Sequence, residues 1–176
     1  MSNKTEMEDK IRELFTSLSP QDKNFLGGLH HTENIIRELR NHFSYIQGDL
    51  PSRQRVNMGI PYLKDSKVIG YCTFTVMQDA RPNNYDQKFI GLKEPVNYLH
   101  FKKLVVHPDF RNQGIATELI QYRLRVANRL GKDAVCDVEK ENESIIKLLT
   151  ENGFKNSFHW KTRKGTEMIR LTTHSK

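Results

Sequence analysis

Between Leu104 and Ala116 the chain reads Leu-Val-Val-His-Pro-Asp-Phe-Arg-Asn-Gln-Gly-Ile-Ala. An apolar strand runs into Pro108, which cannot donate to a ladder, and a short polar loop then enters a helix through Gly114 and Ala116. The first turn of a helix presents N–H groups without intrahelical partners and the positive end of the helix dipole. Small residues at Gly114 and Ala116 let an anion reach that backbone, and Arg111 adds a full positive charge, so the stretch is a candidate phosphate site. An ordinary strand-to-helix turn is the alternative, and Gly-x-Ala alone does not separate the two. Other chemistry-bearing side chains are scattered. Cys72 and Cys136 lie in apolar segments with no CxxC partner and no adjacent base, which reads as two buried thiols rather than nucleophiles or zinc ligands. His30, His31 and His107 lack metal-ligand spacing and read as loop residues, and no metal is expected.

The elements that must position this stretch follow from periodicity. Met7, Ile11, Leu14, Phe15 and Leu18 form a helical stripe, with Thr5 and Glu8 at capping-box spacing, although Ile11–Leu18 also reads as a strand. Ser19-Pro20 starts a short helix that ends at Gly27-Gly28. Thr32 caps a third, with Ile35, Ile36, Leu39, Phe43 and Ile46 on one face. A polar connection over 48–57 precedes a β-hairpin of Pro61–Leu63 and Val68–Met77, turned at Asp65-Ser66. Residues 79–95 read as a loop, and Asn97–Val106 as a strand. A helix follows over Ile115–Leu130, stopped by Gly131, then a short apolar strand over Ala134–Val138. Asn142 caps a helix through Leu149, and Phe154–Thr162 with Thr166–Thr172 form a second hairpin. Strand–helix–strand units pair in parallel and hairpins pair antiparallel, so the class is α/β with a mixed sheet.

Composition bounds the possibilities. The 176 residues hold 28 Lys and Arg against 21 Asp and Glu, a formal net charge of +7. An excess of this size suits a polyanionic partner: nucleic acid, an anionic membrane surface or a phosphorylated cofactor. Mean hydropathy is −0.68, yet nine Phe, six Tyr and one Trp argue against disorder. The N-terminal MSNKTEMEDK has acidic residues and no apolar core, so neither a secretory nor a transit signal is expected. No apolar run approaches the ~18 residues of a membrane span, and the expectation is a soluble, cytoplasmic protein. From Arg111 to Lys132 the basic residues are Arg111, Arg123, Arg125, Arg129 and Lys132 against Glu118 alone, a net +4 where a phosphate would bind, with three of those arginines facing water as the alternative.

The arrangement Val106-x-Pro108-x-x-Arg111-x-x-Gly114-x-Ala116 resembles the acyl-CoA-binding motif of the GNAT N-acetyltransferases. Asn142 followed by Gly153-Phe154 is similar to that family's N…GF segment, and the order of elements agrees from Pro20 to the C-terminus. The resemblance implies one domain over 1–176, with 1–18 an extension or a first strand. Its sheet would be mixed and mostly antiparallel, with a parallel, splayed strand pair and flanking helices. It implies that backbone groups of Leu104 and Val106, flanking Val105, pair with the pantetheine arm. N–H groups of Arg111, Asn112, Gln113, Gly114, Ile115 and Ala116, with Thr117, would hold the pyrophosphate. Leu104 N–H would polarise the thioester carbonyl, Asn142 would lie beside the pantetheine or the thiol, and the splay of Leu99–Val106 from Ala134–Val138 would make the thioester slot.

The implied reaction is direct attack of a primary amine on acetyl-CoA in a ternary complex. A base must take the ammonium proton, whose pKa is ~10.4. His100 falls where the family often has Glu, and where serotonin N-acetyltransferase has His. A solvent-facing or hydrogen-bonded strand histidine is the alternative. Glu139 is a second candidate, or a surface carboxylate. Many members carry a Tyr four residues before the Gly-Phe glycine that protonates the leaving thiolate; here that position is Leu149, and Tyr122, inside the preceding helix, does not replace it. Leu149 therefore keeps a second reading open, an acyl-CoA-binding or regulatory protein with little catalysis. Nucleic-acid binding rests on net charge alone, without a recognition motif, and ranks last. The expected partners are coenzyme A and a small amine or peptide acceptor, with no membrane and a homodimer left open. Acceptor contacts would come from Pro20–Ile46, the 79–95 loop with Asp79, Asp86 and Glu94, and the C-terminal hairpin. Lys102 and Lys103 either steer anions or are solvated strand charges.

Overall fold

A computed structural model describes residues 4–17, 32–46, 54–82 and 95–173. Helix α1 spans Lys4–Ser17. Met7, Ile11 and Leu14 are buried while Arg12, Glu13 and Thr16 are exposed. Burial every three or four residues is the helical period, so the strand alternative for this stretch is overturned. The helix starts at Lys4, which places Thr5 in its first turn rather than ahead of it. Helix α2, Thr32–Ile46, likewise takes in the expected cap Thr32 and buries Ile35, Ile36 and Leu39. The expected helix over 20–27, and His30 and His31, lie outside the described residues.

Strand β1 runs Arg55–Lys64 and β2 Lys67–Met77. They turn at Asp65-Ser66, both left-handed (φ 47° and 63°), as a two-residue hairpin with the right twist requires. β1 is longer than expected and takes in Arg55–Asn57. Val56, Met58 and Ile60 are buried in alternation, a period-two signal hidden by the polar residues around it. An antiparallel bridge, Ala80↔Val96, closes the base of the next connection; Asp86 and Glu94 lie outside the described residues. Strand β3 is Tyr98–Val106, followed by a single 3-10 turn at Pro108–Phe110 and helix α3, Ile115–Arg129. Strand β4 (Asp133–Glu139), helix α4 (Glu143–Glu151) and strands β5 (Lys155–Lys161) and β6 (Glu167–Thr172) complete the chain.

The strand order is β1-β2-β3-β4-β6-β5. β4 and β5 each pair antiparallel with β6, and β3 with β4 is parallel, so the sheet is mixed as expected. Parallel pairing runs from Tyr98↔Asp133 to Phe101↔Cys136, while β3 continues to Val106 and β4 to Glu139.

The chain divides into two compact units. One comprises residues 1–52, 57–74 and 103–119, and its core joins Met7, Ile11, Leu14, Ile35, Leu39, Val68, Tyr71 and Val105. Tyr71, fully buried, donates its hydroxyl to the Ile35 carbonyl at 3.4 Å. Its ring reaches that position because residue 59 is glycine: a Cβ there would stand 1.8 Å from the Tyr71 hydroxyl. The other unit comprises 53–56, 75–102 and 120–176. Met77, Ala80, Val96, Tyr98 and Val135 form one cluster in it. On the opposite parity of β3, Phe101 meets Phe154 edge-on at 5.4 Å, with the Arg123 guanidinium 4.2 Å above its ring.

Candidate functional site

The loop after β3 is built from the backbone. His107 N–H bonds the Ile69 carbonyl, extending β3 by one residue. The His107 ring accepts from Asp109 N–H through Nδ1 at 3.3 Å, and Phe110 and Arg111 N–H bond the carbonyls of His107 and Pro108. His107 is thus the cap of a tight turn. Arg111 returns to the strand end, its Nε donating to the Val106 carbonyl at 3.1 Å, and Gln113 bonds the Asp109 carbonyl. Asn112 and Gly114 are both left-handed (φ 59° and 82°), and a Cβ on Gly114 would meet nothing within 4 Å. The helix proper starts at Ile115, so the N–H groups of its first turn have no i−4 carbonyl to bond. Arg111, Asn112, Gln113 and Gly114 are all exposed. This is an open, positively polarised turn that an anion can approach.

The start of α3 is seated on β2. A Cβ on Gly70 would lie 3.2–3.3 Å from Ile115, Leu119 and Tyr62, so the missing side chain lets the helix come close. Tyr62 donates to Glu118 at 2.9 Å, and that bond to a carboxylate raises the phenol's pKa. Lys64 sits 5.3 Å from the Phe110 ring. Leu104, Val105, Val106 and Arg111 through Thr117 all belong to this unit.

His100, Glu139 and Asn142 belong to the other unit. His100 Nε2 lies 3.2 Å from Asp137 Oδ2, the side chains 20% and 14% exposed. Arg170 grips the same carboxylate with two 2.7 Å bonds, Nε to Oδ1 and a terminal nitrogen to Oδ2. Burial alone would raise the Asp137 carboxyl; the Arg170 and His100 bonds overcome it and hold the group well below the usual carboxylate range. Asn142 caps α4, its Oδ1 accepting from Ile145 N–H at 3.3 Å and from Ser144 at 3.1 Å, so that oxygen already has a structural task. Glu139 is exposed at the end of β4. Leu149 is buried in the apolar stripe of α4 and offers no proton. Tyr122 lies under the Arg125 guanidinium. Cys72 and Cys136 are buried and form no disulfide, and burial, opposed in part by Arg123, pushes Cys136 up to about 12.

The charge expected on α3 is corrected. Arg123 is 1% exposed, turned onto Phe101 and unable to face a phosphate. Lys132 is half-buried with its ammonium on Asn97, and burial lowers its pKa. Arg111, Arg125 and Arg129 remain exposed. Sequence reasoning missed Asp137 and Arg170. Their signal was there: each is a charge inside an apolar strand, Val-Cys-Asp-Val and Met-Ile-Arg-Leu, where a solvated residue is not expected. Among the described residues no helix is long and apolar enough to cross a membrane.

Comparison with known proteins bears on the fold and the family. No curated protein sequence gives a significant match. Several solved structures are similar at low identity, a likeness of fold. A GNAT-family acetyltransferase from Desulfovibrio desulfuricans is 11% identical, covers 94% of this chain and 90% of its own, and has a TM-score of 0.62. One from Elizabethkingia anophelis, solved with acetyl-CoA bound, is 16% identical over 68% of this chain and 76% of its own, with a TM-score of 0.54. The ribosomal-protein-S18-alanine N-acetyltransferase of Escherichia coli is 15% identical over 88% of both chains, with a TM-score of 0.51. The sequence model of the acetyltransferase (GNAT) family matches residues 26–154, well over half of the chain, and the chain therefore belongs to the GNAT acetyltransferase family.

Proposed function

We propose that the chain is an acetyl-CoA-dependent N-acetyltransferase that acetylates a primary amine by direct attack in a ternary complex. The observation that carries this reading is the exposed turn from Arg111 to Gly114, opening straight into the first turn of α3 after β3. Acetyl-CoA supplies the activated acyl group as a thioester. With Arg111 N–H taken by the Pro108 carbonyl, N–H groups from Asn112 to Thr117 hold its pyrophosphate, and the backbone of Leu104 and Val106 lines the arm. Leu104 N–H donates to the carbonyl oxygen as negative charge develops there. His100 takes the proton of the acceptor ammonium, whose pKa is ~10.4 in water. The amine lone pair then bonds the carbonyl carbon, the carbon–sulfur bond breaks, and its electron pair leaves on sulfur. The nitrogen gives up its second proton to solvent as the amide forms, and, with leucine at 149, solvent supplies the proton that the thiolate takes. Asn142 stands beside the arm as a helix cap rather than as a proton donor.

Two variants test the reading. Gly114→Val forces a β-branched residue to φ +82°, a conformation it rarely adopts; calorimetry should find acetyl-CoA binding lost. His100→Ala should keep acetyl-CoA affinity and lower thiol release by about 10²–10⁴-fold. Binding that survives Gly114→Val, or a pH–rate profile unchanged by His100→Ala, refutes the corresponding assignment. The E. coli protein named above acts on an alanine of a ribosomal protein, so the acceptor panel should include peptides with free N-termini beside small amines. Buried Leu149 supports a second reading, an acyl-CoA-binding protein with little turnover. Thiol release with any acceptor in the panel eliminates it.

A further inference from the structure

We propose that Asp137, held by Arg170, is a positioning residue that fixes His100 as the Nε2–H tautomer and so makes Nδ1 the nitrogen that takes the acceptor's proton. This rests on His100 being the base, and adds which nitrogen acts and what orients it. Three neighbouring strands each contribute one side chain. His100 on β3 pairs in register with Val135 on β4, so Asp137, two residues on, stands diagonally across on the same sheet face. Asp137 pairs in register with Arg170 on β6, on that face again. Charge therefore reaches the imidazole from β4 through Asp137 and from β6 through Arg170, and Tyr98 on β3 meets the ring edge-on at 6.1 Å.

The chemistry follows from what each group can do. A guanidinium only donates and does not lose its proton, so Arg170 keeps Asp137 ionised. An ionised carboxylate only accepts. At 3.2 Å from Asp137 Oδ2, Nε2 must then carry the hydrogen, which leaves the lone pair of neutral His100 on Nδ1. The double bond from Arg170 fixes the plane of the carboxylate, and the carboxylate fixes the rotation of the ring. When Nδ1 takes a proton, the imidazolium lies against an anion that is already in place. Arg170 and Asp137 are 8% and 14% exposed against 20% for His100, so the histidine is the most accessible of the three to an acceptor.

Nitrogen-15 NMR of the full-length protein reads the tautomer directly, with His100 identified by the signals that vanish in His100→Gln. A pyrrole-type Nε2 and a pyridine-type Nδ1 are expected for neutral His100. The reverse pattern, or an even mixture, overturns the proposal whatever the activity, and needs no Asp137 variant to fold. Asp137→Asn can turn its amide donor toward Nε2, which should move the hydrogen to Nδ1 and lower kcat about 10²-fold, with the KM for acetyl-CoA unchanged. Asp137→Glu should recover part of that loss. A fall in kcat without a tautomer change in Asp137→Asn overturns the positioning role. If the tautomer is as expected but His100→Gln turns over at the full rate, the base assignment fails instead.

Discussion

Removing Arg170 should expose how the three-strand cluster is balanced. Arg170→Met keeps an unbranched side chain of similar length and deletes both 2.7 Å bonds to Asp137. The carboxylate, 14% exposed in the wild type, then keeps His100 as its ionic partner among the described residues. Breaking one side of a buried pair costs about 3–5 kcal/mol, because the other charge stays desolvated. For a chain of this size, that corresponds to a Tm loss of roughly 6–20 °C. Replacing both members, Asp137→Leu with Arg170→Met, removes the stranded charge and should recover most of the loss, since apolar substitutes for a buried pair are often neutral. The double-mutant cycle by urea unfolding gives the coupling directly. The effect should also depend on pH. Asp137 is depressed in the folded protein, so its stabilisation is present above the unfolded carboxylate value of ~3.9 and is lost as pH falls below it. The penalty of Arg170→Met should therefore shrink in acid. A single-variant cost below about 1 kcal/mol, the level of an exposed pair, or a double variant no more stable than the single, refutes this account.

Three further outcomes are expected. Gly59→Ala places a Cβ 1.8 Å from the Tyr71 hydroxyl and 2.6 Å from its ring; it should cost about 3 kcal/mol in urea unfolding, and Tyr71→Phe should rescue only part of it. Gly70→Val overfills the contact with Ile115 and Leu119 and should weaken acetyl-CoA binding by displacing the start of α3, while a calorimetric Kd unchanged from wild type would separate that seat from the site. Burial lowers His42 from 6.5 to about 4, so the stability it confers is full above pH 6.5 and falls away as pH drops toward 4. His42→Phe should flatten the pH dependence of the urea midpoint across that window, removing a slope worth roughly 3 kcal/mol in total.

What the sequence made legible follows the physics of each segment. The loop from His107 to Ala116 was readable because its chemistry is backbone chemistry: proline, glycine and alanine declare a turn and an open helix start without any tertiary contact. Helices α3 and α4 and the C-terminal hairpin carried their own periods and stops. The start of β1 was hidden because its alternation, Val56, Met58 and Ile60, is interrupted by Arg55 and Asn57. The cluster of His100, Asp137 and Arg170 could not be assembled from spacing, since Asp137 and Arg170 lie 33 residues apart and meet His100 only through strand register. Arg123 misled in the same way. A helical arginine is ordinarily solvated, and only the position of Phe101 shows where it turns.

The two cysteines have a practical consequence for all of these experiments. Cys72 and Cys136 are enclosed, and a thiol pushed up to about 12 at Cys136 has almost no thiolate at neutral pH. A thiol-specific dye should therefore count coenzyme A released by the native protein with little contribution from the protein itself. On unfolding both sulfurs become accessible and Cys136 regains ordinary acidity, and the same dye becomes a stability reporter that needs no engineered label. One reagent would thus follow turnover at low denaturant and the folding equilibrium at high denaturant, with the two signals separated by the conditions at which each appears.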